Sequence, residues 1–285
     1  MYGLHPRSHN NPKHEYLLDG VVLENITEEK DLGIFVSNDL SWNKNINMSI
    51  KSANRAIAWI SRNVIVRDVD ILRNIYKTLI RPKLESCVQL WNPAACHGNW
   101  SLILELESIQ RRFTRLANDI GTLPYSERLE AFRLTTLGER RIRGDLIETY
   151  KMVNGIVDYG KNVFKVSRSG SNIVSKVNTS CSDKAILKLR SSFLPERVRN
   201  YWNKLPMYVK NSINVNIFKS NLEKFKKSTS ERNSEYFWEV SEIIIDKIEG
   251  NSSYLENKSK FNNYLVSNPY VARRKGININ RPILH

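Results

Sequence analysis

Two stretches of this sequence combine helical spacing with basic side chains that suit the binding of phosphate groups. Residues 102–120 and residues 135–155 place apolar side chains three or four positions apart, which predicts two amphipathic helices with basic outer faces. Thr136 and Glu139 have the spacing of a capping box, and Asn154-Gly155 is a typical helix end. Guanidinium and ammonium groups on such faces contact phosphates without reading base sequence. The candidate binding residues are Arg111, Arg112, Arg115, Arg140, Arg141, Arg143 and Lys151.

These basic side chains also have a structural alternative, because carboxylates lie near them in the sequence. Internal ion pairs would hold the helical region together instead of contacting a ligand. From the sequence alone, phosphate binding and internal pairing stay equally open for each basic residue. The pairs that the sequence allows would join Arg128, Arg140 or Arg141 to Glu127, Glu139 or Asp145.

The net charge of +15 is concentrated in one part of the chain. Residues 161–230 contain fifteen Lys and Arg side chains and three Asp and Glu side chains, whereas residues 1–40 contain three basic and seven acidic side chains. A basic stretch of this density favours a polyanionic partner, because each neutralised phosphate releases condensed counterions. The alternative is a charged surface that only keeps the protein in solution.

Several short strings occur in a fixed order between residues 30 and 206, and together they are far more specific than any one motif. The strings are Lys30–Ile34, Tyr76–Glu85, Trp91–Pro93, Ile109–Phe113, Tyr125–Leu129, Glu139–Arg141 and, more weakly, Tyr201–Pro206. In this order they resemble the region that follows the catalytic core in reverse transcriptases of non-long-terminal-repeat retrotransposons, the jockey-like group. The resemblance implies the end of a palm, a helical thumb that holds the template–primer duplex, and a C-terminal extension.

The carboxylates that such a polymerase needs are missing from this sequence. In the family, an aromatic-x-Asp-Asp turn and an upstream Asp position two Mg²⁺ ions, which activate the attacking oxygen and stabilise the leaving one. No Asp-Asp pair occurs in the 285 residues, and we interpret the acidic cluster Glu28–Asp31 as a solvated turn. The chain is therefore expected to have no catalytic residue and no cofactor, and not to polymerise DNA on its own.

Other kinds of site have little support in the sequence. Cys87, Cys96, His97 and Cys181 lack the spacing of a zinc site, and Cys87 falls on an apolar stretch where a buried thiol is expected. No nucleophile elbow and no glycine-rich phosphate loop is present. Most tryptophans fall at apolar helical positions, which favours core packing. The best aromatic pair for stacking on a base is Tyr201-Trp202, beside Arg197 and Arg199.

The predicted fold is mainly α-helical: a thumb-like bundle with a short N-terminal β-hairpin or three-strand remnant and a partly irregular basic C-terminal region. The strand remnant contains an Asp19-Gly20 hairpin signal, and its unpaired edge is expected to favour self-association. Five segments are predicted: palm-edge strands at 1–41, a helical thumb-like domain at 42–155, a basic linker at 156–192, a C-terminal helical extension at 193–250 and a polar basic tail at 251–285.

The functional interpretation is a non-catalytic fragment of a retrotransposon RNA-directed DNA polymerase that binds RNA or an RNA/DNA duplex without sequence preference. No signal peptide or membrane-spanning segment is recognisable, so an intracellular protein, cytoplasmic or nuclear, is expected. Two alternatives stay open. One is a co-opted helical module that binds a protein through its strand edge or through an apolar seam at residues 46–64. The other is a decayed element without function.

Overall fold

Helices make up most of the described chain, which confirms the predicted mainly α-helical class. The predictions for the tail at 251–285, and for much of the segment 156–192, lie outside the part of the chain that the structure describes. The computed structural model describes residues 2–4, 15–93, 100–157, 164–167, 172–174, 192–231 and 239–250.

Short strands in two-stranded pairs form the N-terminal region. The strands are β1 (Tyr2–Leu4), β2 (Leu17–Leu18), β3 (Val21–Val22), β4 (Glu24–Ile26), β5 (Glu28–Asp31) and β6 (Ile34–Ser37). β1 pairs in parallel with β4, whereas β2–β3 and β5–β6 are antiparallel pairs. The turn between β2 and β3 is Asp19-Gly20, with φ of 51° and 80°, the positive values that a tight two-residue hairpin turn requires. The predicted hairpin is therefore present.

The acidic cluster Glu28–Asp31 is a strand, so the prediction of a solvated turn at this position is wrong. The turn lies at Leu32-Gly33, where φ is 46° and 88°. The side chains of β5 are exposed, so their charges stay hydrated without a loop. Lys44 of the following helix forms an ion pair with Glu28 and lies over the Phe35 ring, which ties the β5–β6 hairpin to the helical region.

The hairpin of β2 and β3 exposes an apolar surface, with Leu17 and Val21 exposed by 62% and 67% and with Leu18 and Val22 also exposed. Because apolar strands with free edges pair with further chains, we expect the protein to self-associate through this hairpin. Replacing Leu17 and Val21 together with Lys should raise the monomer fraction that size-exclusion chromatography measures.

The matched control for this test replaces Ile65 and Ile213 with Lys. These two side chains are 90% and 88% exposed and lie outside the strands, so the control makes the same change in charge and apolar surface. The control should leave the elution profile unchanged. Equal dispersal of the oligomer by both variants would show that net charge, and not the hairpin, governs association.

In the first half of the helical region, the structure describes seven α-helices. They are α1 (Asn43–Asn63), α2 (Val69–Ile75), α3 (Arg81–Glu85), α4 (Val88–Trp91), α5 (Trp100–Thr114), α6 (Tyr125–Ala131) and α7 (Leu137–Val153). The apolar seam at residues 46–64 is the core-facing stripe of α1, where Ile46, Ala53, Ile57 and Ile60 are buried. Because these side chains are covered within the molecule, the seam is not available as a protein-docking surface.

Residues 69–85 form one continuous helix that contains a π-helical turn at Tyr76–Ile80. The N–H of Arg81 donates to the carbonyl of Tyr76, five residues earlier. A proline has no N–H, and its ring crowds the carbonyl four residues before it, so the wider turn lets the helix continue through Pro82. The helix thus accommodates Pro82 by a π turn and does not end before it.

α5 ends at Thr114 and not at residue 120, where the sequence pattern predicted its end. After α5 the chain forms a narrower turn, in which the N–H of Leu116 donates to the carbonyl of Phe113, three residues earlier. Leu116 and Ile120 nevertheless pack against the core. The apolar stripe thus predicted the packing correctly but overestimated the length of the helix.

α7 begins and ends where the capping residues predicted. The Thr136 hydroxyl oxygen accepts the N–H of Glu139 at 3.2 Å and so satisfies one free donor at the start of the helix. At the other end, Gly155 has φ of 66°, a left-handed conformation that glycine adopts without strain. Local signals in the sequence therefore fix both ends of this helix.

The remaining described elements are α8 (Leu194–Lys204), α9 (Met207–Lys210), α10 (Val215–Glu231), α11 (Glu239–Glu249), and the antiparallel strands β7 (Lys165–Val166) and β8 (Ile173–Val174). The described part of the predicted linker therefore contains a strand pair. It also contributes Phe164 and Ile173 to the buried core.

Two hydrophobic cores organise the helices. The first joins α1 to α5 and includes Leu72, Trp91 and Phe113. The second joins α7 to α8, α10 and α11 and includes Trp202 and Phe218. α5 and α7 contribute side chains to both cores, so the packing crosses residue 155, the predicted end of the thumb-like domain. The division into five segments stays a prediction.

Candidate nucleic-acid interface

Three arginines lie at and directly after the C-terminal end of α5, and we call them the α5 basic end: Arg111, Arg112 and Arg115. Arg112 and Arg115 are exposed, and Arg111 is half-buried. Among the described residues, no carboxylate forms an ion pair with any of the three, and the Nε of Arg111 is buried without a hydrogen-bond partner. The sequence assigned these residues to a basic outer face, and the structure places them together at one end of the helix.

Arg128 of α6 lies beside the α5 basic end. Its side chain is buried, donates from Nη1 to the Gly121 carbonyl at 3.0 Å, and lies over the Tyr125 ring at 5.7 Å from the ring centroid. Burial lowers the pKa of Arg128, and the positive charges of Arg115 and Arg111 lower it further. The cations of α5 and α6 are therefore close enough to repel one another.

The other predicted binding residues lie on α7, and three of them are in internal ion pairs. Arg140 donates to both oxygens of Glu85, with its Nε 2.5 Å and its Nη2 3.0 Å away, and this hydrogen bonding raises its pKa. Arg143 Nε lies 2.7 Å from Glu223, and Lys151 Nζ lies 3.1 Å from Glu148. The pairs of Arg140 and Arg143 join α7 to α3 and to α10, and the pair of Lys151 lies within the last turns of α7. None of them matches the pairs that the sequence suggested: the partners of Arg140 and Arg143 lie 55 and 80 residues away in the chain, and Lys151 pairs within its own helix.

Arg141 is fully buried and faces a carboxylate on α5. Burial lowers the pKa of Arg141, and the charge of Glu107 opposes that shift. A buried guanidinium cannot reach a phosphate on the surface. The helical pattern placed Arg141 on an outer polar face, whereas the structure buries its side chain, with the charges of Glu107 and Glu85 acting on it.

A buried polar network surrounds Glu107. Tyr125 donates its hydroxyl to Glu107 at 2.6 Å, and the Leu137 N–H donates at 2.9 Å. Gln110 extends the network, because it donates to the Thr135 carbonyl at 2.9 Å and accepts the Tyr76 hydroxyl at 2.5 Å. Burial raises the pKa of Glu107, while hydrogen bonding from Tyr125 and the charge of Arg141 oppose the rise. The network joins the helix of Tyr76 to α5, α6 and α7.

Arg197 and Asp145 form a second buried polar group, at the junction of α4, α7 and α8. Arg197 Nε and Nη2 each donate to one oxygen of Asp145 at 2.8 Å, and both side chains are almost completely buried. Asn92 donates its amide to the same carboxylate at 2.9 Å, and Arg197 also donates to the Ser192 carbonyl at 2.9 Å. This arrangement satisfies a buried charge pair with further hydrogen bonds, as such a pair requires.

The aromatic pair Tyr201-Trp202 does not form a stacking surface for bases. Trp202 is buried in the second core and stacks on Phe218, with ring centroids 6.2 Å apart. Its expected basic neighbour Arg197 is buried on Asp145. Trp59, by contrast, is 55% exposed although its position favoured core packing.

Sequence reasoning missed Glu107, Gln110, Arg128 and Arg197 as buried polar residues. For α5 a signal was present: Ile103, Glu107, Gln110 and Thr114 repeat at intervals of four, three and four, and all are buried. Polar residues at core spacing on a helix indicate an internal hydrogen-bond network. For Arg197 the partner lies 52 residues away, and local spacing contains no such information.

A cavity of about 490 Å³ lies between the end of the strand region and α4, α7 and α8. Its charged lining groups, Glu148 and Arg197, are paired with Lys151 and Asp145. Most of its lining is apolar: Leu40, Trp42, Leu90, Met152, Phe193, Leu194 and Pro195. These two charges are therefore committed to internal pairs, and the cavity is a weaker candidate for ligand binding than the α5 basic end.

The described residues do not fit a two-metal polymerase site. Glu28 is paired with Lys44, and the exposed side chains of β5 lie on a sheet of only two strands. In the described ranges, no group of three or more His, Cys, Asp or Glu side chains is placed to hold a metal ion. Cys87 is exposed and starts α4 with φ of 49°, so the expectation of a buried thiol is wrong. The other predicted zinc candidates lie outside the described residues.

Within the same ranges, no helix combines the length and the apolar character that crossing a membrane requires. Comparison of the chain with known protein families, with curated proteins and with solved structures found no match.

Proposed function

We propose that this chain is a non-catalytic nucleic-acid-binding module of the reverse-transcriptase type, in which the α5 basic end contacts the phosphate backbone. The observation that carries the proposal is the difference between the arginines of α5 and those of α7. The basic side chains on α7 are buried or paired with carboxylates, whereas those of the α5 basic end have no ion pair with a described residue. Cations without such partners are the ones that can neutralise phosphates.

The expected binding is weak, independent of sequence and sensitive to salt. Guanidinium contacts with phosphates position a duplex but do not read bases. Non-specific dissociation constants are about 10⁻⁴–10⁻⁶ M at physiological salt. The excess of basic residues between 161 and 230 adds a long-range attraction for the same polyanion. RNA and RNA/DNA duplexes are the proposed ligands, because they are the templates of the enzymes that the sequence resembles.

In this proposal the chain holds nucleic acid and does not act on it. The sequence has no Asp-Asp pair, and Glu28–Asp31 forms an exposed strand. The second candidate function is protein binding through the apolar β2–β3 hairpin, which the exposure of Leu17 and Val21 favours. The self-association experiment on this hairpin addresses that candidate separately.

Replacing Arg111, Arg112 and Arg115 together with Gln tests the proposed function. The plot of log binding constant against log salt concentration has a negative slope, and each lost phosphate contact makes it less steep by about 0.9 on a B-form duplex. The slope of the triple variant should therefore be smaller in magnitude by about 2–3. Fluorescence anisotropy with a labelled RNA/DNA duplex at several salt concentrations measures the change. The melting temperature should stay close to that of the native chain, because surface replacements usually cost within about 0.5 kcal/mol each.

The matched control replaces Lys51, Arg55 and Arg62 with Gln. These three exposed side chains lie on α1, so the control removes the same charge from another surface. If both variants bind equally weakly, binding reflects net charge and the α5 basic end has no special role. A triple variant of α5 that melts early and binds normally would show that these arginines are structural.

A further inference from the structure

The outer face of α1 carries an exposed tryptophan between basic side chains. The residues that share this face, which we call the α1 outer stripe, are Lys51, Arg55, Trp59 and Arg62. They lie within about 80° of one another around the helix axis, because successive residues of an α-helix turn by about 100°. All four side chains are exposed, and the exposed fraction of Trp59 is 55%. The other face of α1 packs in the first core, so Trp59 presents a large aromatic surface to the surroundings of the folded chain.

The charges of the α1 outer stripe are all positive, and α1 does not compensate them. The helix contains four basic and no acidic side chains. Arg62 Nε donates to the Ala58 carbonyl at 3.1 Å, but none of the three cations of the stripe forms an ion pair with a described residue. The next acidic side chains along the chain are engaged elsewhere, because Asp68 caps α2 and Asp70 pairs with Arg73. The stripe therefore complements a partner with negative charge.

The order of ring and cations along the stripe indicates the kind of anion. Arg55 precedes Trp59 by four positions and Arg62 follows it by three, so each cation lies about 5–6 Å from the tryptophan, measured between Cβ atoms. A single-stranded nucleic acid offers unpaired bases between its phosphates. Its bases stack on aromatic side chains without sequence preference, because every base has a π face, while cations follow its backbone. A duplex keeps its bases within its own stack and cannot use the ring.

An anionic lipid surface is the competing partner, since Ile65 and Val66, directly after α1, are exposed as well. Helices that lie on membranes bury a broad apolar face in the lipid. The apolar face of α1 is instead covered by the first core, and the ring on its outer face has cations on both sides. This arrangement favours a nucleic acid over a lipid surface.

We propose that the α1 outer stripe binds single-stranded nucleic acid. Trp59 stacks on an unpaired base, and Lys51, Arg55 and Arg62 contact the phosphates on either side of it. This site goes beyond the proposed function, which assigns a duplex to the α5 basic end, and does not depend on it. The chain then holds the paired and the unpaired parts of a nucleic acid on two different helices.

Replacing Trp59 with Leu tests the stacking, because leucine keeps an apolar side chain and a high helix propensity but has no π face. Fluorescence anisotropy with a labelled oligouridine of about ten nucleotides, a length within the site sizes of single-strand-binding proteins, measures the affinity. Trp59→Leu should bind at least about fivefold more weakly than the native chain, whereas Trp59→Phe, which keeps a ring, should stay within about twofold. The salt dependence of Trp59→Leu should not change, since no cation is lost.

The matched control is Tyr208→Leu, which removes a ring that is 53% exposed on α9. This variant should bind oligouridine as the native chain does. Equal losses in Trp59→Leu and Tyr208→Leu, or an equal loss in Trp59→Phe and Trp59→Leu, would overturn the stacking role of Trp59.

The variant with Gln at positions 51, 55 and 62 tests the cations with the same oligouridine. Each phosphate contact contributes about 0.7 to the salt slope on a single strand, so the slope should be smaller in magnitude by about 2. An unchanged slope contradicts the phosphate contacts. Normal oligouridine binding by Trp59→Leu, together with lost binding to vesicles of phosphatidylserine and phosphatidylcholine, would assign the stripe to a lipid surface and overturn the proposal. The α5 triple variant, measured on a duplex, decides the proposed function independently.

Discussion

Replacing Asp145 with Ala is expected to lower the free energy of unfolding by about 3–5 kcal/mol, because it leaves the charge of Arg197 buried without its partner. Both side chains are almost inaccessible to water, and two hydrogen bonds of 2.8 Å join them. Asn92 would lose its acceptor on the same carboxylate. Chemical denaturation monitored by circular dichroism measures the difference.

The control for this prediction replaces both members of the pair, Asp145 with Leu and Arg197 with Met. Apolar replacement of a whole buried ion pair is often neutral or stabilising, so the double variant should be more stable than the Asp145→Ala variant. A single variant that loses less than about 1 kcal/mol would mean that water or another group compensates Arg197, and the buried pair would then contribute little to stability.

Replacing Glu107 with Ala should have a comparable effect on the other side of α7, about 3–5 kcal/mol, because the change breaks a buried charge interaction. The Tyr125 hydroxyl and the Leu137 N–H would lose their acceptor. Arg141 would lose the negative charge that opposes the lowering of its pKa by burial. Thermal and chemical unfolding of the variant measure the loss. A change within about 0.5 kcal/mol, typical of surface positions, would contradict the assignment of Glu107 to the centre of the network.

The Glu107→Gln variant gives a sharper test through pH. Burial raises the pKa of Glu107 above the ordinary value of 4.5, so the folded state holds the proton more tightly than the unfolded chain does. The stabilising contribution of this group is therefore fully present below the unfolded pKa and is lost as the pH rises through the folded pKa. In that window, the unfolding free energy of the native chain minus that of Glu107→Gln should fall by up to about 1.4 kcal/mol per pH unit. A difference that does not depend on pH would contradict the raised pKa.

Local signals explain why part of this fold could be predicted from the sequence. Thr136 and Gly155 mark the two ends of α7, and Asp19-Gly20 forms the turn of the β2–β3 hairpin. Both could be predicted because capping and tight turns depend on residues that are close in the chain. The apolar spacing of α1 and α5 likewise identified side chains that are buried. The end of α5 was misplaced because the apolar stripe continues past Thr114 in a turn that packs against the same core.

The candidate site was predictable only in part, since it depends on which charges find partners. Spacing alone gave Arg115 and Arg143 the same outer-face position, yet the structure exposes the first and pairs the second with Glu223, 80 residues away. Arg141 was placed on a polar face that other helices cover. Pairing across the chain is a property of the tertiary structure, and no local pattern reports it.

α5 and α7 each pack in both hydrophobic cores, and this packing affects how the protein unfolds. Leu137, near the start of α7, packs in the first core, whereas Leu146 and Tyr150 farther along it pack in the second. Loss of packing in either core therefore removes part of the support of the same helix, and short helices without tertiary packing are marginal in water. We therefore expect the two cores to unfold together, and a truncation at residue 155 would leave an apolar face of α7 in water. A fragment that keeps both cores and the α5 basic end must therefore extend through α11, which contributes Ile244 to the second core.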